Sequence, residues 1–242
     1  MEGLKLKEHS VLYFLSKAFP AIFTFLGIIL FVRIAGKEEY GKYSLLISMI
    51  LFSLAFTSGW ISQVILRFNN LYAHTREKLS YAKAVTLSSL VSAALGATMV
   101  YISISVTRGA PAHILPVSIA IYVIAFAYAL KNTRLQVSLN PRGIILNELT
   151  RSALIVIVPL LLFLFLGSMD SLTMLLGTAV AYFSALFLRS GRCGNMNFHK
   201  ILFSKTRTLK PYFLEYGRYG IPLSMWLAVA YLLNVSDRYL IA

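Results

Sequence analysis

The chain has 242 residues, is 58% hydrophobic and only 13% charged, and carries a formal net charge of +14. Soluble domains average about 25% charged residues, so the composition excludes an ordinary soluble core and points to an integral membrane protein. Its cations then belong to cytoplasmic loops rather than to a nucleic-acid-binding face, and its one cysteine, Cys193, excludes an internal disulfide or a cysteine-based metal site.

The first apolar run, residues 11–34, follows Lys5 and Lys7 and is too long for a signal-peptide core, so it reads as an uncleaved span. It holds Lys17 one to two turns in, and Pro20 is expected to kink or loosen it. Gly36 can end a helix. Lys37, Glu38 and Glu39 stay in water, and the two carboxylates suit the start of the helix that follows. The second run is 44–66. The third, 84–106, is rich in small residues; Ser92 and Gly96 make a small-xxx-small face that lets helices approach closely in lipid.

The fourth run, 112–130, has Pro116 in its first turns. A polar connection, 131–151, leads to the fifth, 152–166, which contains Pro159. Asp170 reads as a solvated residue of a short outer turn before the sixth run, 172–188. A basic segment, 189–218, is the stretch that reads as a linker between units. The seventh run, 219–236, has 18 residues without a charge, enough to cross most of a bilayer's hydrocarbon core, and closes on Asp237 and Arg238. The expected fold is all-α and polytopic.

Orientation follows from counting cations. With the N-terminus cytoplasmic, the inner segments hold 17 Lys and Arg residues, among them Arg67, Lys131, Arg151 and Arg218. The outer segments hold five: Arg33, Lys37, Lys42, Arg108 and Arg238. That asymmetry is a positive-inside pattern. Tyr13, Tyr40, Tyr43, Tyr81, Tyr122, Tyr216 and Tyr219 fall near the ends of runs, as an aromatic belt would.

Few residues are candidates for chemistry. Lys17 either snorkels to the cytoplasmic surface or faces a water-filled cavity, where it would attract an anionic headgroup. Glu148 and Arg151, three apart, can pair on one helix face; the simpler reading is a helix-start carboxylate with a local ion pair. Asp237 and Arg238 are an ordinary polar end cap or an interface site. Lys17, Pro20 and Arg33 are echoed by Arg218, Pro222 and Arg238, a weak internal repeat of the kind transporters use to build a site between halves. HExxH, Walker A and GxGxxG patterns are missing, so an enzyme is not expected, nor a metal or cofactor.

Two stretches resemble a known family. The loop Arg-Ile-Ala-Gly-Lys-Glu-Glu-Tyr-Gly-Lys-Tyr-Ser at 33–44 and the ending Asn-Val-Ser-Asp-Arg-Tyr-Leu-Ile at 234–241, after a span opened by Ile221-Pro222, are similar to those of polysaccharide flippases. These are the O-antigen-unit transporters of the multidrug/oligosaccharidyl-lipid/polysaccharide exporter superfamily. The resemblance implies six complete transmembrane helices in a first lobe, 1–210, and a seventh helix, 211–242, that starts a second lobe. It implies a prokaryotic inner-membrane flippase moving an undecaprenyl-pyrophosphate-linked oligosaccharide to the outer leaflet by alternating access.

Under that resemblance Lys17, Arg218, Asn234, Asp237 and Arg238 are candidates for the substrate cavity, and Glu148 and Asp237 for proton or sodium coupling. Its implied partners are membrane lipid and the polymerase and glycosyltransferase machinery of polysaccharide assembly, with no nucleic acid. Two other readings stay open: a truncated remnant or half-transporter that needs a partner, and a drug or metabolite exporter of the same superfamily.

Overall fold

The computed structural model describes residues 14–72, 75, 77–107, 113–188, 209–231 and 233, and of residues 2–13, 232 and 234–241 the helical backbone alone. The described chain is helical: α1 (Glu2–Tyr72), α2 (Lys78–Val106), α3 (Ile114–Val137), α4 (Pro141–Leu166), α5 (Ser171–Phe187) and α6 (Lys210–Ile241). Residues 189–208 of the basic segment, Cys193 among them, lie outside the described residues.

A straight α1 would be roughly 105 Å long at 1.5 Å per residue. It is folded instead. Gly36 has φ 84° and ψ 166°, a conformation that is essentially confined to glycine. The rings of Phe31 and Tyr43 meet edge to face with centroids 6.3 Å apart, whereas twelve residues of straight helix would separate them by about 18 Å. α1 is therefore two antiparallel arms, 2–35 and 37–72. Pro20 lies inside the first arm, whose dihedrals stay helical throughout.

Among the described residues, four helices are long and apolar enough to cross a membrane: Phe14–Tyr72, Lys78–Val106, Ile114–Val137 and Pro141–Leu166. Six were expected. The two arms of α1 count as one stretch, and α5, with 17 residues, is shorter than a full span. The outward faces are apolar. Val106 is 74% exposed and Phe165 86%, and Leu90, Val91, Leu95, Leu161 and Leu164 are exposed as well. Water would penalise such a surface at about 25 cal/mol per Å²; hydrocarbon does not.

The interior holds many polar side chains among its apolar ones. Ser48, Ser53, Ser88, Ser92, Ser118, Thr133, Thr178 and Asn147 are all buried. In lipid the hydrophobic effect does not draw helices together, so packing and interhelical hydrogen bonds must. Tyr122 shows how. Its hydroxyl lies 2.8 Å from Thr57 Oγ1 on α1 and donates to the Ser92 carbonyl of α2 at 3.3 Å. A Cβ built on Gly96 would come within 1.8 Å of that hydroxyl. Trp60 Nε1 donates to Ser92 Oγ at 3.0 Å. The small face of α2 thus receives aromatic donors from α1 and α3.

Three further expectations need correction. The polar stretch 131–151 is not a connection: α3 runs to Val137 and α4 begins at Pro141, leaving only 138–140 between them. Asn140 caps α4 by accepting the Gly143 N–H at 3.0 Å, and Pro141 fits a first-turn position where no N–H is needed. Asp170 is not merely solvated: it caps α5 through the Thr173 N–H at 3.0 Å. Tyr43, Tyr81, Tyr122 and Tyr216 are buried side chains rather than an interfacial belt.

The helix ends sort by charge. At one end lie the turn of α1, with Lys37, Glu38, Glu39 and Lys42, and the start of α5. Glu39 joins them by accepting the Ser171 N–H at 2.9 Å while Lys42 Nζ donates to its other oxygen at 2.8 Å. These two donors, the lysine first, hold the Glu39 carboxyl below its ordinary value of 4.5. At the other end α1 finishes, α2 starts, α3 finishes, α4 starts, α5 finishes and α6 starts. Arg67, Lys78, Lys83, Lys131, Arg134, Arg142, Arg151, Lys210 and Arg218 gather there.

Candidate functional site

Two polar assemblies occupy the basic end. The first joins α3, α4 and α5. Lys131 Nζ donates to the Ala185 and Leu188 carbonyls, both at 2.7 Å, and to Asn147 Oδ1 at 3.1 Å. A lysine ammonium there satisfies carbonyls that the last turn of α5 leaves open and opposes the negative end of its dipole. Asn147, fully buried, donates to Asn132 Oδ1 at 3.0 Å, and Asn132 donates to Glu148 Oε1 at 2.9 Å.

Glu148 Oε2 accepts from Arg151 Nη2 at 2.7 Å and from its Nε at 3.3 Å. The Arg151 guanidinium in turn lies 5.3 Å from the centre of the Tyr182 ring and 5.8 Å from that of Tyr128, which meet edge to face. Charge-assisted hydrogen bonds and cation–π contacts both strengthen as water is excluded. The expected local pair exists, but it stands two to three turns inside α4 and belongs to a network across three helices.

The second assembly is the seam between α1 and α6. Gly220 lets the α6 backbone meet Trp60 closely, since a Cβ there would lie 2.9 Å from the indole and 3.3 Å from the Trp60 carbonyl. Buried Tyr216 packs against Phe68 and Tyr81, with ring centroids 5.4 and 6.1 Å away. Two carboxylates cross-link the rim: Tyr72 donates to Glu215 Oε2 at 3.1 Å, and Tyr212 to Glu77 Oε2 at 2.9 Å. Beside these contacts opens a groove of about 420 Å³ lined by Arg67, Phe68, Leu214, Glu215, Arg218 and Tyr219.

The residues singled out from the sequence are thus dispersed. Arg218 lines the seam groove and Glu148 sits in the α3–α4–α5 network. Lys17 is exposed on the first arm of α1 and is not among the groove's lining residues. Asn234, Asp237 and Arg238 lie on the α6 backbone, with side chains outside the described residues. Sequence reasoning missed Arg67, Lys131, Asn132 and Asn147. The available signal was the pair Asn140-Pro141, which marks a helix start and would have placed Asn147 and Glu148 inside a helix. Among the described residues no group of three or more His, Cys, Asp or Glu side chains could hold a metal ion.

Apolar outer faces, hydrogen-bonded polar seams and cations gathered at one end define a polytopic helical membrane protein. The chain belongs to the polysaccharide biosynthesis protein family, whose model matches residues 6–242. No curated protein and no solved structure matches it.

Proposed function

We propose that this chain serves as a flippase for a lipid-linked oligosaccharide, carrying an undecaprenyl-pyrophosphate-type substrate to the outer leaflet of a prokaryotic inner membrane. The observation that carries the reading is the family match along residues 6–242, laid over helices of membrane-spanning length. The two arms of α1, with α2, α3, α4 and α5, supply six passes of a first lobe, 1–210. α6 then opens a second, 211–242. The cations at one helix end support a cytoplasmic placement of that end.

In this reading the lobes alternate access around a central cavity. Lys17, Arg218, Asn234, Asp237 and Arg238 are its candidate contacts, and Glu148 or Asp237 the candidate for coupling to protons or sodium. Moving one charge through 100 mV is worth roughly 2.3 kcal/mol. With a negative interior, outward transfer of a pyrophosphate is favoured by about that amount per charge. Cavity cations therefore act in accepting the headgroup more than in driving it. Product would pass to the glycosyltransferase and polymerase machinery of polysaccharide assembly.

The test is reconstitution of the full reading frame in vesicles with a fluorescent polyprenyl-pyrophosphate oligosaccharide. The expected result is transfer between leaflets, with weaker headgroup binding in Lys17→Ala. No transfer above empty vesicles would overturn the flippase reading. Unchanged binding and transfer in Lys17→Ala would overturn the role of Lys17 alone.

A further inference from the structure

We infer that the groove between α1 and α6 binds the phosphate group of a membrane lipid and thereby fastens α6 to α1.

Arg67 and Arg218 face one groove from two helices, and among the described residues neither forms an ion pair. Arg67 is already oriented. Its guanidinium lies 4.2 Å from the centre of the Tyr219 ring and 5.5 Å from that of Phe68. A guanidinium held by an aromatic face keeps its N–H groups for other partners, and its planar fork matches phosphate oxygens two at a time. Both arginines are exposed, so their bonding capacity is met by solvent until an anion arrives.

Among the described residues Glu215 is the one acidic lining residue. It accepts the Tyr72 hydroxyl rather than pairing with an arginine, and its charge opposes an anion. Two cations against one carboxylate leave the groove net positive. The remaining lining is apolar: Phe68, Leu214 and Tyr219. Ile221 is 53% exposed and Met225 59%, one and two turns along α6 from Arg218 away from the helix end, so apolar surface runs from the cationic groove along the helix. That combination suits a phosphate joined to a hydrocarbon tail better than a free anion. The groove also lies at the helix end where the chain's cations gather, the level at which a bilayer presents its phosphates.

Two lipids offer this chemistry, a resident phospholipid and a polyprenyl phosphate. The experiment uses the full chain in detergent and in nanodiscs, with native mass spectrometry of bound lipid. Its probes are phosphatidylglycerol, undecaprenyl phosphate, diacylglycerol and inorganic phosphate. Occupancy by either phospholipid or polyprenyl phosphate, well above diacylglycerol, is expected, and the preferred one identifies the source.

The double change R67Q/R218Q is expected to lower occupancy at least tenfold. R67K, which keeps the charge and loses the fork, should lower it several-fold. E215Q, which removes the repelling charge while still accepting from Tyr72, should raise it several-fold, a gain that misfolding cannot imitate. If the double variant fails to fold, R67K and E215Q decide. Unchanged occupancy in both, equal retention of diacylglycerol, or equally tight binding of inorganic phosphate would overturn the proposal.

Discussion

Glu148 and Arg151 are joined at 2.7 Å one turn apart on α4, with side chains only 16% and 19% exposed. A pair so placed costs desolvation, which its geometry must offset. Here it does so through added partners: Asn132 donates to the second Glu148 oxygen, and the Tyr128 and Tyr182 rings cover Arg151. Removing one partner leaves the other charge buried and uncompensated.

Arg151→Met or Glu148→Leu alone should therefore destabilise the detergent-solubilised protein by roughly 3 kcal/mol, near the lower end for breaking buried pairs. The double change Glu148→Leu/Arg151→Met should recover a large part of that loss. Thermal unfolding of the three variants checks it; additive losses would show that the pair is not coupled. On the proposed flippase reading, transport by the double variant separates a coupling role from a structural one. If Glu148 couples an ion, flipping should fail even where stability is regained.

Gly96 offers a test of packing in the middle of the bundle. A methyl there would lie 1.8 Å from the Tyr122 hydroxyl and 2.2 Å from Cζ of the same ring. Tyr122 is fully buried, so it has no open direction of retreat. Gly96→Ala should cost about 1–3 kcal/mol, the usual range for overpacking. Tyr122→Phe should cost about 1 kcal/mol for its lost hydrogen bonds. It should not rescue Gly96→Ala, because the ring carbon that clashes remains. Unfolding midpoints of the two single variants and the double variant decide this; full rescue would mean that the hydroxyl alone was in conflict.

Much of the helix layout was readable in advance because long apolar runs and Gly36 report directly on the solvent and on the backbone. The interior was not. A row such as Lys131–Asn132 or Asn147–Glu148 looks like a loop when judged by polarity, yet these side chains satisfy one another between α3, α4 and α5. Polarity tells whether a group needs a partner and is silent on whether water or another helix provides it. The tyrosines misled for the same reason. Tyr81 and Tyr216 sit near helix ends as belt residues would, but their rings stack into the α1–α2–α6 seam. The seam groove depends on residues about 150 positions apart, Arg67 and Arg218, whose meeting only the fold reveals.

Glu39 gives a pH dependence with a definite sign. Its folded-state carboxyl value is lowered from 4.5 by Lys42 and the Ser171 N–H. The contribution to stability is thus fully present above about pH 4.5 and is lost as pH falls through the lower, folded value. Glu39→Gln should remove that dependence and leave a flatter profile below neutral pH, while lowering stability at pH 7. Comparing unfolding midpoints of both proteins from pH 3 to pH 7 (about the range in which a carboxylate titrates) checks it. Parallel curves would mean that the α1 turn does not fasten the start of α5 in solution.

Orientation has its own test in Cys193, the single thiol of the chain. α5 finishes and α6 starts at the end where the cations gather, and Cys193 falls between them in the sequence. If that end is cytoplasmic, an impermeant maleimide added to intact cells should leave Cys193 unlabelled, and permeabilisation should expose it. One thiol makes the result unambiguous, and a permeant maleimide controls for burial. Labelling from outside would reverse the orientation, placing the Lys131 and Glu148 network and the Arg67–Arg218 groove on the outer face. The groove would then meet the outer leaflet, and the end near Glu39 and Lys42 would face the cytoplasm.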